Sequence, residues 1–475
     1  MTLARTDAAG GGALDSRVLA FSTSLEFDRA LLREDIVQNL AHTKMLAEIG
    51  ILSSEEHVAL RDGLAALFRE GDAGLPDEED VHMAIERWLL ARVGDAAKRM
   101  HSARSRNDQV ATCLRLHVRE NARTSLVQIS LLLRQLLELA KASDGIFLPA
   151  YTHRQRAQPI ALAFFYLAHA TALSRDIDGF RFVLDSVAKS PLGACAVSGT
   201  SLPIDRNRTA SLLRFSEPTN NALDTVGDRD FALDYLYAAT RFFEHASRIS
   251  TDFIDYSTAE FGFIELGTEI ACGSSMMPQK RNPDLFELIR GKSGGAIGRL
   301  VSLLVTMKGL PSGYNRDQQE DREPILGTTK ALASVFEALP IGLRNARFRK
   351  DRCLAAIDSD YTQATDIAEA LVKEGVPFRD AYKLTGELVA KAQAARAPLK
   401  DATAIAEALD PRFTKRVLEA LDPRSAAARK ASIGGTGDAA LPAQFAAIER
   451  AADEAEALAR KVPALDDLFT TLVAL

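Results

Sequence analysis

The hydrophobic pattern of this chain is helical over long stretches. Between Asp95 and Asp144 there is neither glycine nor proline. Apolar or small residues recur there at spacings of three and four, at Val110, Leu114, Val118, Ala122, Leu126, Ile129, Leu133, Leu136 and Ala140. One face of an α-helix has this period. The pattern therefore predicts a single helix from Asn107 to Ser143, about 55 Å long at a rise of 1.5 Å per residue.

Two further long helices are predicted. One covers about Phe231–Glu260, and the other begins at Pro283 and continues past Leu304. The helix that begins at Pro283 contains four glycines, namely Gly291, Gly294, Gly295 and Gly298. Each glycine costs up to about 1 kcal/mol relative to alanine inside a helix, so we expect another backbone to pack very close to them.

Few segments alternate with a period of two, so the predicted fold class is all-α, and a Rossmann sheet is not expected. We place unit boundaries near Ala103 and Asp358, which divides the chain into residues 1–103, 104–357 and 358–475. Shorter helices are predicted at residues 366–374 and 380–392. Helices as long as the central three are more readily covered in an oligomer than within one chain.

The amino-acid composition excludes some classes of function for this protein. The 475 residues are 47% hydrophobic and 26% charged with a net charge of −6, which is typical of a globular protein without the basic excess of a nucleic-acid binder. Apolar runs fall short of the about 20 residues that span a membrane. Met1–Leu14 lacks the apolar stretch of a signal peptide and is interpreted as a frayed tail, so we expect a cytoplasmic protein. Four widely spaced cysteines predict free thiols.

Polar segments punctuated by glycine or proline interrupt the helical pattern at four places, where functional side chains usually concentrate. They cover residues 101–109, 151–159, 273–283 and 313–322. The third segment fills every fixed position of GSSxMPxKxNP, from Gly273 to Pro283, and so resembles the signature loop of the aspartase/fumarase superfamily. The other three segments, together with the stretch from Ser22 to Asp28, resemble motifs of the argininosuccinate lyase family.

The resemblance runs in order along almost the whole chain and implies a fold and an activity. The fold is a three-domain, all-α architecture with a long central helix bundle, assembled as a homotetramer around a core of about twenty helices. The activity is carbon–nitrogen β-elimination of a small molecule, argininosuccinate, to arginine and fumarate. Neither a cofactor nor a metal is implied, and active sites are shared between subunits.

The same resemblance implies roles for particular residues. Ser274 is the base that removes a proton from carbon, and Lys280 stabilises the carbanion. His153 handles the second proton and pairs with Glu287. The implied substrate-binding set is Ser24, Asp28, Arg106, Asn107, Thr152, Asn282, Tyr314, Gln319 and Arg322, in which Asp28 suits the substrate's cationic end and most others suit its three carboxylates.

Several positions depart from the family pattern and leave alternatives open. They are Ala103, Ala150, Arg154, Cys195, Arg316 and Arg322. Arginine and lysine differ in hydrogen-bonding geometry, so arginine at position 322 bears on one carboxylate contact. A sibling lyase acting on another N-substituted aspartate or succinate is the first alternative. A structural or binding protein on a lyase scaffold is the second, although the four catalytic positions are all filled.

Overall fold

The computed structural model describes residues 15–475, so the predicted tail at residues 1–14 lies outside the described residues. The first unit is helical. Its helices are α1 (Ser16–Ser22), α2 (Leu25–Asp28), α3 (Leu32–Glu48), α4 (Ser54–Glu70), α5 (Val81–Val93) and α6 (Ala96–Arg99). Short 3-10 turns at Arg29–Leu31 and Asp72–Gly74 join them. Leu40, Leu60, Leu64 and Trp88 lie in its core.

The longest helix, α7 (Arg106–Ala142), has 37 residues and matches the predicted first helix to within one residue at each end. It begins at a capping box. The Ser105 hydroxyl accepts a hydrogen bond from the Asn107 N–H (3.3 Å), and the Asp108 carboxylate accepts one from the Ser105 N–H (2.9 Å). These bonds satisfy backbone donors that have no partner within the helix. They therefore determine where α7 starts.

The other predicted long helices are also confirmed. The central helices after α7 are α8 (Leu162–Ser174), α9 (Asp176–Ser186), α10 (Arg206–Leu212), α11 (Ala222–Gly227), α12 (Asp230–Ser257), α13 (Asp284–Met307) and α14 (Arg322–Arg344), the last preceded by a 3-10 turn at Arg316–Asp321. Helices α8, α9, α13 and α14 pack with α7 and α12 in one apolar cluster that includes Leu133, Phe242 and Phe253, whereas α10 contributes to the core of the first unit. Helix α14 is not among the helices predicted from the sequence.

Strands are few, as the sequence predicts, and the described strands pair only two by two. The antiparallel pairs are β1 (Phe147–Thr152) with β2 (Gln155–Ala161), β5 (Ile264–Leu266) with β8 (Ala346–Phe348), and β6 (Cys272–Gly273) with β7 (Arg281–Asn282). The parallel pair is β3 (Lys189–Ser190) with β4 (Glu217–Pro218). The β1–β2 hairpin and the β6–β7 hairpin carry predicted catalytic residues.

The last part of the chain contributes to all three apolar clusters. Its helices are α15 (Lys350–Asp358), α16 (Ala364–Lys373), α17 (Phe378–Ala394), α18 (Thr403–Leu409), α19 (Lys415–Leu418), α20 (Pro423–Ala428), α21 (Leu441–Arg460) and α22 (Leu465–Val473), with 3-10 turns at Leu399–Asp401 and Glu419–Leu421. Residues 367–421 form a separate core. In contrast, α21 packs on α7, and α22 packs on α3. The division at residues 103 and 357 stays a prediction.

The glycine-bearing face of α13 has no close neighbour among residues 15–475. A Cβ atom placed on Gly291, Gly294 or Gly298 would meet nothing within 4 Å. Val301 and Val305 on the same helix are 51% and 66% exposed. The expected close packing is therefore not made by any described part of the chain, and this face is exposed. No described helix is long and apolar enough to cross a membrane.

We expect Ser105→Ala to lower the free energy of unfolding by about 1 kcal/mol, because it removes the side-chain cap of α7. Urea denaturation followed by circular dichroism measures this effect. Ser105→Thr keeps a hydroxyl at the cap and serves as the control. An alanine variant as stable as the unmodified protein would show that the cap contributes nothing.

Candidate active site

A cavity of about 210 Å³ lies where α5, the start of α7 and the segment before α14 meet. Six predicted substrate-binding residues line it, namely Ser24, Arg106, Asn107, Tyr314, Gln319 and Arg322. Glu79, Asp80, Met83, Val110 and Arg316 complete the lining. Polar groups that converge on one concave site are typical of a small-molecule pocket. The structure thus unites residues that lie up to about 300 positions apart in the sequence.

Arg106 is held at the first position of α7 by two carboxylates. Its Nε lies 3.1 Å from an oxygen of Asp80, and a terminal nitrogen lies 3.5 Å from Glu86. His101 lies 3.1 Å from the same Glu86 oxygen. Burial works to raise the pKa of Glu86, but His101 and Arg106 outweigh it and lower the pKa. Glu86 therefore stays ionised and holds the guanidinium in place.

Asn107 and Asp108 attach the start of α7 to the loop before α10. The Asn107 amide donates to the Ala196 carbonyl (3.1 Å). Asp108 is fully buried and accepts hydrogen bonds from the backbone N–H groups of Gly193 (2.9 Å) and Cys195 (2.8 Å). Burial raises the pKa of Asp108, and these donors work against that rise.

Two departures from the family pattern meet in this loop. Ala103 and Cys195 have φ angles of 56° and 55°, in the left-handed region that glycine adopts more easily. The Cys195 thiol contacts the Ala103 carbonyl oxygen at 3.2 Å. Ala103 and Cys195 are therefore in contact. Ala103 shortly precedes Asn107 in the chain, and Cys195 precedes Ala196, whose carbonyl accepts from the Asn107 amide.

Arg322 belongs to a buried ion network. Its Nε donates to Asp28 (2.9 Å), a terminal nitrogen pairs with Asp321, and Asp321 also pairs with fully buried Arg229 (2.5 Å). Burial works to lower the pKa of Arg322, but Asp321 and Asp28 raise it well above its usual range. Asp28, expected to meet the substrate's cation, is fully buried and accepts a hydrogen bond from Ser24 (2.5 Å).

The segment before α14 closes the cavity from the other side. Arg316 pairs with Glu79 (2.7 Å) and donates to the Ser22 carbonyl (2.8 Å), and Gln319 donates to the same carbonyl (3.2 Å). Burial raises the pKa of Tyr314. Glu79, Asp80, Met83 and Val110 line the cavity but were not predicted to bind the substrate, and Arg316 was noted only as a departure from the family pattern. Only Asp80 carried a local signal, as an acidic residue just before the helical stretch that it caps.

Ser274 and Lys280 lie on the hairpin formed by β6 and β7. Gly273 pairs with Arg281, so Ser274 and Lys280 directly flank the last paired residues at the base of the loop. The Ser274 Oγ accepts hydrogen bonds from the backbone N–H groups of Met276 (3.2 Å) and Met277 (3.0 Å). Donors in this arrangement stabilise negative charge on the oxygen. Asn282 is half-buried at the end of this hairpin.

His153 occupies the turn of the hairpin formed by β1 and β2. Thr152 pairs with Gln155, so His153 and Arg154 form a two-residue turn. Their φ angles are 51° and 58°, which is the left-handed pair that such turns require. Neither residue is glycine, so the turn holds local backbone strain of the kind that concentrates at functional sites. Thr152 and His153 are both exposed.

The two hairpins and the cavity are separate within one chain. None of Thr152, His153, Ser274, Lys280 or Asn282 lines the 210 Å³ cavity. Glu287 lies exposed in the first turn of α13, and no ion pair within residues 15–475 joins it to His153. The predicted residues therefore do not form one site among the residues that the structure describes.

Cys272 and the other three cysteines are free thiols. Cys272 is exposed beside the signature loop, where a hydrogen bond to Asp284 raises its pKa. A raised pKa lowers the thiolate fraction and hence reactivity. Within residues 15–475, no group of three or more histidine, cysteine, aspartate or glutamate side chains could hold a metal ion.

A buried polar network lies behind the cavity and supports the loop that precedes α7. Asp35 lies 2.8 Å from His82 and accepts a hydrogen bond from Gln109 (2.9 Å). His42 lies 2.9 Å from the Ser102 carbonyl oxygen through Nε2. Burial, assisted by the charge of Arg104, lowers the pKa of His42 to about 3.

Comparisons with known proteins agree over most of the chain. A family described as "Lyase" matches residues 10–298, and one described as "Argininosuccinate lyase C-terminal" matches residues 361–428. Argininosuccinate lyase of Thermosynechococcus vestitus is 44% identical over 90% of this chain and 93% of its own length. That of Crocosphaera subtropica is 42% identical over 94% and 97%, respectively.

Solved structures show the same architecture at lower identity. EDDS lyase in complex with formate has a TM-score of 0.82 at 24% identity and covers 98% of this chain and 95% of its own. The class II fumarase of Schistosoma mansoni has a TM-score of 0.70 at 17% identity and covers 87% and 94%. These likenesses establish the all-α fold of the aspartase/fumarase type.

His42 generates a prediction about pH. Because its pKa of about 3 lies below the unfolded value of about 6.5, the unfolded chain binds more protons between these values, and acid destabilises the fold. We expect His42→Gln, which can still donate to Ser102, to reduce the loss of unfolding free energy between pH 6 and 4 by up to about 1.4 kcal/mol per pH unit. Urea denaturation at both pH values measures it. Unchanged slopes would contradict this assignment.

Proposed function

The chain belongs to the argininosuccinate lyase family and is a lyase, and we propose that it cleaves argininosuccinate reversibly to L-arginine and fumarate. The observation that carries the proposal is the cavity, where six residues predicted to bind the substrate converge. We further propose that the enzyme is cytoplasmic and completes arginine biosynthesis.

The cavity suits a substrate with several carboxylates. Arg106, Arg316 and Arg322 line it, and each is held by carboxylates of the chain: Arg106 by Asp80 and Glu86, Arg316 by Glu79, and Arg322 by Asp28 and Asp321. A guanidinium group carries five N–H donors, so donors beyond those used in these pairs remain for substrate carboxylates. Neutral hydrogen-bonding groups on Ser24, Asn107, Tyr314 and Gln319 add to them. Charge-assisted hydrogen bonds to carboxylates are among the strongest that a protein makes. In this arrangement Asp28 acts by orienting Ser24 and Arg322.

The reaction breaks a carbon–hydrogen bond and then a carbon–nitrogen bond. The Ser274 oxygen, as an alkoxide, takes the β-proton, and the electron pair of that bond passes onto the adjacent carboxylate. Backbone N–H groups at Met276 and Met277 support the alkoxide, and the positive charge of Lys280 stabilises the carbanion. The pair then forms the fumarate double bond as the guanidino nitrogen leaves.

The departing nitrogen receives a proton from His153. Imidazole has a reference pKa near neutrality and is therefore suited to proton transfer. Glu287 is its proposed partner, because a neighbouring carboxylate favours the protonated ring. Both side chains are exposed in a single chain, so the proposed pair forms between subunits.

We propose a homotetramer in which three subunits contribute to each active site. Two observations support it. The glycine-bearing face of α13 lacks a neighbour within 4 Å at three positions, and apolar side chains beside it are exposed. The hairpins that carry Ser274 and His153 do not line the cavity of their own chain. Assembly through α13 would cover this exposed face. It would also bring the hairpins of one subunit to the cavity of another.

A sibling lyase acting on another N-substituted aspartate or succinate remains the alternative. Arg322 is the reason to test it, because this position is a lysine in the family pattern. In this chain Arg322 forms ion pairs with Asp28 and Asp321. Fumarate release from a panel of such substrates, followed by ultraviolet absorbance, separates the two. Turnover of argininosuccinate well above the others supports the first proposal, and its absence would exclude it.

We expect Ser274→Ala and His153→Asn each to abolish turnover, a loss of about 10²- to 10⁴-fold, because each removes a proton-transfer group. Gln279→Ala is the control from the same loop, since position 279 is variable in the signature and its side chain is exposed. Steady-state kinetics and circular dichroism measure rate and helix content. A near-normal rate in either variant would refute its role.

Mixing the Ser274→Ala and His153→Asn proteins under conditions that exchange subunits should restore measurable activity. The reason is that some mixed sites take an intact serine hairpin from one subunit and an intact histidine hairpin from another. Each variant alone, treated identically, is the control. Complete inactivity of a mixture whose heterotetramers are verified by mass spectrometry would argue against shared sites.

A further inference from the structure

A second, larger cavity lies along α7 and shares no lining residue with the first. It has a volume of about 770 Å³ and is bounded by α7, the segment between α10 and β4, and the end of α21. Four cations line it, namely Arg119, Arg214, Arg460 and Lys461, whereas Glu217 is the sole acid in the lining. The proposed reaction uses none of these residues.

Arg119 is the buried charge of this cavity. The residue is only 5% exposed, and its guanidinium lies over the Phe215 ring at 4.6 Å. Its one hydrogen bond within the described chain is from Nη1 to the Arg214 carbonyl oxygen (3.3 Å). The other two guanidinium nitrogens have no protein partner there, yet they are not among the fully enclosed polar atoms. These two nitrogens are therefore accessible, on a residue that lines the cavity.

The nearby carboxylates are engaged elsewhere. Glu217 pairs with Lys189 (2.7 Å), and Glu120 pairs with Arg123 and accepts a hydrogen bond from the Leu465 N–H (3.1 Å). Arg460 pairs with Glu456. Among the residues that the structure describes, Arg119, Arg214 and Lys461 form no ion pair, so the lining carries an excess of positive charge.

A buried charge without a counter-ion is costly. Burial lowers the pKa of Arg119 to about 10, which still leaves the guanidinium protonated at neutral pH. A bound anion would offset this cost with charge-assisted hydrogen bonds. The volume is in the range of small-molecule sites, and Leu184, Val462 and Pro463 provide apolar walls.

We propose that this cavity is a second binding site, specific for a small organic oxyanion, in which Arg119 is the central ligand and Arg214 and Lys461 are supporting cations. The shared chemistry is a phosphate or carboxylate group carried on a partly apolar molecule. A phosphate ligand and a polycarboxylate ligand are two sources of that chemistry, and one probe of each kind distinguishes them.

The test measures thermal unfolding of the full-length assembled protein with pyrophosphate or citrate, against sodium chloride at equal ionic strength. Ligands that bind the folded state raise the unfolding midpoint, and we expect a rise of about 2 °C or more with at least one probe. A larger shift with pyrophosphate identifies a phosphate site, and a larger shift with citrate identifies a carboxylate site.

Variants assign the shift to this cavity. Arg119→Met should abolish it, and the double variant Arg214→Asn, Lys461→Met tests the same site through exposed residues if Arg119→Met does not fold. Lys98→Met removes an equally exposed charge elsewhere and should keep the shift. Arg106→Gln, which weakens the catalytic cavity, should keep it too. The proposal would be overturned if neither probe raised the unfolding midpoint. It would also be overturned if the shift survived the double variant or was lost only in Arg106→Gln.

Discussion

The buried ion network of Arg322, Asp28, Asp321 and Arg229 is the constraint on which the candidate active site depends. It joins the N-terminal unit to α14, because Asp28 ends α2 and Arg322 begins α14. Removing one member of a buried network leaves a charge without its partner, at a cost of about 3–5 kcal/mol. The network therefore fixes Ser24, which donates to Asp28, and the Arg322 guanidinium at the edge of one cavity.

This rigid cavity contrasts with the exposed hairpins. Binding groups come from helix ends that are capped, buried and paired, as Arg106 is by Asp80 and Glu86. The proposed proton-transfer groups, Ser274 and His153, lie on short two-stranded elements outside that cavity. In the proposed assembly, the hairpins of neighbouring subunits close over the bound substrate and exclude water. The proposed surface for that assembly is the exposed, glycine-bearing face of α13.

Much of the fold was predictable, because helix periodicity is a local property of the sequence. The bounds of α7 followed from its stripe of apolar residues, and the scarcity of strands from the lack of alternation. Helix α14 was not predicted, although Ile325, Leu332, Leu339 and Leu343 have helical spacing, because the adjacent polar segment and Pro340 obscure that pattern. The motifs identified Arg106, Tyr314 and Gln319, whereas Glu79 and Met83 enter the cavity through tertiary packing alone. The pairing of Asp28 with Arg322 likewise depends on contacts across 294 positions, which local patterns do not encode.

In the proposed mechanism, a serine hairpin of one subunit closes over a substrate held in the cavity of another. A crystal structure of the Ser274→Ala tetramer soaked with argininosuccinate would show whether this closure occurs. We expect substrate carboxylates on Arg106 and Arg322 of one subunit, with the residue 274 backbone and Lys280 of a neighbouring subunit beside the β-carbon. Substrate bound in the cavity with no hairpin from any subunit within reach of that carbon would rule the mechanism out.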